Sequence, residues 1–264
     1  MSMAINSINR TPNMFSVNNT QNNRSAQRLA SGRRINSAAD DAAGLAISEG
    51  LQALIRGLEQ GTNNSRDMQN LLTTAEGGMG SITDSLQRVR ELGLQASNSI
   101  LTTENHALIQ REVDQILNHI DRTATSTQFN TRNLLDGTAQ DLHTASYGDG
   151  SGMSVSIGSF TTESLGIDGF DVTGDFDLRV IDEALSQVLG ARADIGAATN
   201  RLDFTIQNTL ITAENLSAAN SRIADADMGR ESINFNINRV LEQYRIFSLR
   251  SHMQSQGNLL NLLL

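Results

Sequence analysis

The side chains that could do chemistry are few, and their spacing does not fit them for it. The four histidines, His106, His119, His143 and His252, are scattered. No two of them stand four apart on a helix face and no carboxylate completes a metal-ligand pattern, so a zinc-type site is not expected. A phosphate-binding loop of the Walker type needs a lysine, and all twenty basic residues are arginine. "GDGSG" at 148–152 therefore reads as a flexible turn without a basic partner. Asp168, Asp171, Asp175 and Asp177 could hold calcium, but their spacing misses the EF-hand order, and they read as solvated loop acids. Asp40–Asp41 is a carboxylate pair at the head of a helical pattern, where free backbone N–H groups and the helix dipole account for it without catalysis. There is no cysteine, hence no thiolate and no disulfide. The residues point away from an enzyme, with no metal and no cofactor.

Composition narrows the partners. The net charge of −9 argues against nucleic acid, which needs a basic stripe. No apolar run approaches the ~20 residues of a membrane helix. The first thirty residues are Asn-rich and lack the apolar core of a cleaved signal peptide. Aromatics are 4% of the chain and Pro12 is its single proline, which suits long helices better than a loop-rich globule.

Heptad spacing is the strongest pattern. Leu51, Leu54, Leu58, Gly61, Ser65, Met68, Leu72, Ala75, Met79, Ile82, Leu86 and Val89 alternate steps of three and four, as a coiled-coil seam does. A helix over 43–99 would be about 80 Å long at 1.5 Å per residue. Thr102 or Thr103 can cap a second helix to about Thr125, with Ile109, Val113, Ile116 and Ile120 on one face. A third rod over 178–223 carries Ile181, Leu185, Val188, Arg192, Ile195, Thr199, Leu202, Ile206, Thr209, Ala213, Leu216, Asn220 and Ile223, with polar intrusions of the kind that fix register. "STQFNTRNLLDGT" at 126–138 reads as loop and turn. The Gly- and Asp-rich stretch at 147–177 alternates in "MSVSIGSF" and predicts a small β-hairpin region, placed at about 138–177 and too short for a core of its own. The fold expected is mainly α: a long antiparallel coiled-coil bundle, a small β-hairpin region and paired terminal helices.

The heptads slip at two joints, 31–42 and 224–230. Beyond the second, Ile233, Ile237, Val240, Tyr244 and Phe247 keep seam spacing and the chain finishes "NLLNLLL", with Leu259 and Leu260. Such a tail needs cover, from the bundle or from other copies of the chain.

Four stretches, "QRLASGRRINSAADDAAGLAIS" (27–48), "TTAEGGMGSITDSLQRVREL" (73–92), "TQFNTRNLLDG" (127–137) and "ENLSAANSRIADADM" (214–228), resemble bacterial flagellin in order and spacing. The resemblance covers roughly residues 27–137 and 178–264. It implies a structural subunit that self-assembles into the flagellar filament for swimming. Residues 1–42 and 224–264 would form a filament-core domain and 43–223 a rod domain, with no further outer domain. The joints would be two spokes, carried by Gly32, Arg33, Arg34, Asn36, Asp40, Asp41, Arg222, Asp225 and Asp227. Ile233, Ile237, Val240, Phe247, Leu259 and Leu260 would pack the core. The implied partners are copies of the chain, an export chaperone, a cap protein and hook-associated proteins. The protein would be extracellular, exported by the flagellar type III apparatus without a cleaved leader. The resemblance also implies recognition of the monomer by the flagellin-sensing Toll-like receptor through Gln87, Arg88, Leu92 and Glu112. The alternative it leaves is a hook–filament junction protein.

Three departures from the family pattern carry expectations. Arg33 stands where an apolar residue is usual, Gly229 replaces an alanine and should loosen its helix by about 1 kcal/mol, and Pro12 sets ordered helix from about residue 13.

Overall fold

A computed structural model describes residues 11–261, with side chains described from Thr20 except at His252 and from Gln256 onward. It contains helices α1 (Thr11–Ser31), α2 (Ala42–Ala96), α3 (Thr103–Ser126), α4 (Arg179–Ala224) and α5 (Met228–Asn261). Between α3 and α4 lie four short strands, β1 (Gln128–Phe129), β2 (Arg132–Asn133), β3 (Leu142–Ala145) and β4 (Gly152–Val155). Pro12 sits in the first turn of α1, where its missing N–H has no helical partner to lose. The described residues divide into two compact units: one ends at Ala53 and resumes at Asn215, the other is Leu54–Glu214.

In the second unit, α2 runs antiparallel to α4. The cross-links that show this are Thr62 to Thr209 at 3.1 Å, Gln69 Nε2 to Asp203 at 2.8 Å and Arg90 Nε to Asp182 at 2.6 Å. α3 lies antiparallel along α2, with Thr102 as its N-cap accepting from the Asn105 N–H. The apolar seam then does what its spacing predicts. Leu72, Ala75, Met79, Ile82, Leu86 and Val89 are fully buried, as are Val113, Ile120, Ile181 and Val188. At roughly 1.5–3 kcal/mol for each large side chain removed from water, this layer supplies the main drive for folding.

Two seam positions differ from the reading above. Leu54 is 54% exposed, and Ile55 takes its place, half-buried. The contact face of α2 runs through Ser48, Leu51, Ile55, Leu58 and Thr62, because the polar layers Ser48–Asn220 and Thr62–Thr209 set the phase. On α3, Leu117 is more deeply buried than Ile116.

The segment between α3 and α4 is more ordered than its composition suggests. Residues 127–134, read as loop and turn, close a tight hairpin, with Gln128 opposite Asn133 and both Asn130 and Thr131 at positive φ. In the second hairpin Leu142 pairs with Val155 and Ala145 with Gly152. Leu135, Ile157, Phe160, Leu165, Ile167, Phe170 and Val172 are all buried against the helices, forming one core with them. Polar side chains of α3 fasten the segment. Asp121 accepts from both the N–H and the hydroxyl of Thr162 at 2.8 Å, and Gln110 bonds to Phe170 O and Val172 N.

Glycines let the second hairpin lie against α2. A Cβ at Gly61 would stand 2.2 Å from the Ser146 carbonyl oxygen, and one at Gly57 would stand 2.9 Å from Gly148 Cα. Beside them Ser65 Oγ meets Ser146 Oγ at 2.9 Å and Asn64 Nδ2 donates to Ala145 O at 3.0 Å.

Candidate assembly and recognition surfaces

The two joints are bonded to each other. α1 ends at Ser31, and Gly32 turns the chain at φ +70, a conformation that disfavours any side chain. Arg33 then forms an antiparallel bridge with Asp225. Arg34 N donates to Ala224 O at 2.7 Å, Ala226 N to Gly32 O at 2.9 Å, and Arg34 Nη2 to Ile223 O at 2.5 Å. Arg33 itself is exposed, and the buried residue of the joint is Ile35.

Two aspartates close the helix N-termini that follow the joints. Asp41 Oδ1 accepts from Gly44 N at 2.8 Å and Asp227 Oδ1 from Arg230 N at 3.0 Å, each serving the first turn of the helix after it. Asp40 accepts from the N–H groups of Asn36 and Ser37, and Asn36 Nδ2 donates to Arg33 O. Of the nine joint residues read from the sequence, Gly32, Arg33, Arg34 and Asp225 bond from one joint to the other; Asn36, Asp40, Asp41 and Asp227 bond within their own segments, and Arg222 Nε bonds to Ala218 O on its own helix.

The hydrogen bonds on Asp40, first that from the Asn36 N–H, hold its carboxyl below the ordinary 3.8. A carboxyl depressed in the folded state contributes stability above its unfolded value and loses it as pH falls through the folded one. Asp40→Asn is therefore expected to lose less melting temperature than the wild type between pH 5 and pH 2, measured by circular dichroism. Equal losses in the two proteins would remove Asp40 from the account.

α1 and α5 pair with each other through a polar seam. Asn22 Nδ2 donates to Glu242 Oε2 at 2.7 Å, and Arg28 lies 3.9 Å from Glu231. The α5 residues turned inward are Glu231, Phe235, Asn238, Glu242, Arg245 and Leu249, all buried or half-buried. Their steps of four and three match those of the apolar series but lie on the opposite side of the helix. The apolar series faces away from the pair: Ile233 is 61% exposed, Ile237 51%, Val240 64%, Tyr244 70% and Phe247 72%. Leu259 and Leu260 belong to the backbone of α5, and their side chains lie outside the described residues. The sequence reading picked the apolar series and missed the polar one; the signal was a second 4–3 run starting at Glu231.

On the rod unit, Arg88 and Glu112 meet at the surface, and Gln87, next to Arg88 in the chain, is exposed. Arg88 Nη2 lies 2.7 Å from Glu112 Oε1 and its Nη1 3.1 Å from Glu91 Oε2, joining α2 to α3. Leu92 is buried in the rod core, at 2% exposure. Among the described residues no group of histidines and carboxylates could hold a metal ion, and no helix is long and apolar enough to cross a membrane.

The sequence matches the bacterial flagellin N-terminal helical region over residues 4–140 and the bacterial flagellin C-terminal helical region over residues 178–263. The chain belongs to the flagellin family. It is 36% identical to the flagellin of Bacillus subtilis over 98% of this chain and 97% of that one. It is 40% identical to the flagellin of Halalkalibacterium halodurans, with 86% of each chain covered. A solved putative flagellar hook-associated protein from Vibrio parahaemolyticus shares the fold, with a TM-score of 0.57 at 18% identity over 70% of this chain and all of that one. Flagellins are structural proteins, so the chain is a subunit of the flagellar filament and not an enzyme. It is a minimal flagellin: only residues 141–177 separate the two family regions, and their described structure packs into the rod core.

Proposed function

We propose that copies of this flagellin polymerise through their terminal helices into the extracellular filament that a swimming bacterium rotates. Residues 1–42 with 224–264 form the inner layer and 43–223 the rod layer. The observation that carries the reading is the face of α5 from Ile233 to Phe247, apolar, exposed and turned away from its intrachain partner. A stripe of that kind is unfavourable in a free subunit and favourable once neighbours cover it. A repeated contact that does not close a ring yields an open helical polymer. Subunits reach the growing end through the flagellar type III apparatus. A chaperone holds the C-terminal segment, a cap protein sits at the tip and hook-associated proteins at the base. The junction-protein reading has less support, since the flagellin relatives match at 36–40% identity and the hook-associated structure at 18%. The test is polymerisation of the purified chain, with and without its terminal segments, seen by electron microscopy.

The finer part of the proposal is recognition of the monomer by the flagellin-sensing Toll-like receptor through Gln87, Arg88 and Glu112, with Leu92 supporting them from the core. The Arg88–Glu112 pair is about half exposed on both sides, so water screens it and it contributes little to the fold. Arg88→Ala with Glu112→Ala is expected to leave the melting temperature within about 3 °C of wild type and to lower receptor signalling at least tenfold. Unchanged signalling from the folded double variant would remove these residues from the proposal.

A further inference from the structure

α5 carries a third face, distinct from the seam it turns to α1 and from the apolar stripe. Ser232, Asn236, Arg239, Gln243, Arg250 and Gln254 are all exposed. They fall within about 60° of one another at 3.6 residues per turn, run along about 33 Å of helix and lie about a quarter turn from the stripe. The face holds two guanidinium groups, three amides and a hydroxyl, and no carboxylate. The same bias runs through the whole terminal pair. α1 contains Arg24 and Arg28 and no acidic residue, and α5 sets Arg230, Arg239, Arg245 and Arg250 against Glu231 and Glu242. Both glutamates are drawn into the seam, Glu231 at 9% exposure and Glu242 under the Asn22 amide. Arg24, Arg230, Arg239 and Arg250 are exposed. The surface that the pair shows to water is therefore basic.

The rod sequence has the opposite sign. Residues 54–214 hold twenty-two carboxylates against ten arginines, and seven of those carboxylates crowd into 163–183 against Arg179 alone. In the filament reading, neighbours cover the apolar stripe and α1 covers the seam, so the Arg239–Arg250 face is the part of α5 that stays wet. New subunits travel to the far end through the core of the polymer as unfolded chain, and that chain is acidic. A core with the charge of the rod sequence would repel it, whereas a face of arginines raises its local concentration. Exposed guanidinium–carboxylate pairs are individually weak because water screens them. Weak contacts repeated on every copy keep a moving chain close without arresting it, as successive shallow sites do for an ion in a channel.

We infer that the Arg239–Arg250 face of α5 is a low-affinity guide for an acidic polypeptide, the unfolded rod sequence of another copy on its way to the growing end. The inference rests on the filament reading. The arginines supply the attraction, and the amides between them offer hydrogen bonds to any backbone that passes, so recognition depends on charge and not on sequence.

The test uses the full chain in the bacterium that makes it, with filaments grown in two stages. A base segment is built from one form, then extended with another, and the rate of extension is followed by fluorescence microscopy. Arg239→Glu with Arg250→Glu, Arg239→Gln with Arg250→Gln and Arg239→Lys with Arg250→Lys are compared with wild type. Wild-type subunits are expected to extend a base of the glutamate variant at least about fivefold more slowly than a wild-type base, with the glutamine variant between them and the lysine variant near wild type. Subunits of the glutamate variant are expected to begin extending a wild-type base at the wild-type rate, because the wall and not the traveller carries the guide. Purified glutamine variant is expected to polymerise at the wild-type critical concentration. Should the glutamate variant build no base, the glutamine variant gives the same reading. Equal rates on every base overturn the inference, as does slowing only when the variant is the travelling subunit. A raised critical concentration for the purified glutamine variant overturns it too, by making the face a packing contact. A wild-type chain that gives no filaments overturns the filament reading itself, a result separate from filaments that grow equally fast on every base.

Discussion

A chain lacking residues 1–30 and 233–264 is expected to form no filaments under a precipitant that polymerises the full chain. The rod unit should still fold, because its core from Met68 to Leu202 draws only on residues within 54–214. What the truncation removes is the α1–α5 pair and the stripe on its outer side. A sharper version leaves the chain at full length. Val240→Asp with Phe247→Asp changes two residues that are 64% and 72% exposed and face away from α1, so pairing through Asn22–Glu242 should persist. Burying each wild-type side chain between copies is worth about 1.5–3 kcal/mol, and burying an unpaired carboxylate there costs more than that gain. Filament formation should fall below detection while the helical circular dichroism stays near wild type. Filaments from the truncated chain would sink the terminal-core argument outright, and filaments from the double aspartate variant would move the contact elsewhere on the ends.

The second large effect is expected at Gly61. An added Cβ would stand 2.2 Å from the Ser146 carbonyl oxygen and 2.5 Å from its carbon, both backbone atoms of the docked hairpin. No side-chain rotation relieves that overlap, so either the hairpin lifts from α2 or the helix shifts. Gly61→Ala should cost about 1–3 kcal/mol, the range for overpacking a filled interior. Gly77 is the internal comparison, since it lies on the same helix and a Cβ there meets nothing within 4 Å. Gly77→Ala should stabilise the chain by roughly 0.5–1 kcal/mol through helix propensity alone. Denaturant midpoints measure both. If Gly61→Ala proves as stable as Gly77→Ala, the close docking of the hairpin is wrong.

The two variants also separate what the chain's pattern could show from what it could not. Periodicity located the rods because burying a seam requires apolar residues every three or four positions, a constraint written along one strand of chain. Met68 to Val89 and Ile181 to Leu202 obeyed it. The same logic misplaced Leu54, where two apolar residues stand side by side and Ile55 is the one turned inward. There the phase is set by Thr62–Thr209 and Ser48–Asn220, pairs whose members lie 147 and 172 residues apart. Gly61 looked like a weak seam position, and its purpose depends on a hairpin more than eighty residues away.

By itself the sequence determined that the chain is a helical structural protein without a catalytic centre, with long rods, two breaks between them and an apolar series near its end. Those are properties of residue type and spacing along the backbone. Only the tertiary structure decided how the breaks bridge one another, that Leu92 is buried in the core while Arg88 is exposed, and that residues 157–172 fill the rod core. It also decided which of the two 4–3 series on α5 turns toward α1. Both series satisfy helical periodicity equally well, so spacing cannot choose between them. The choice falls to the partner surface, and Asn22 and Arg28 on α1 select Glu242 and Glu231.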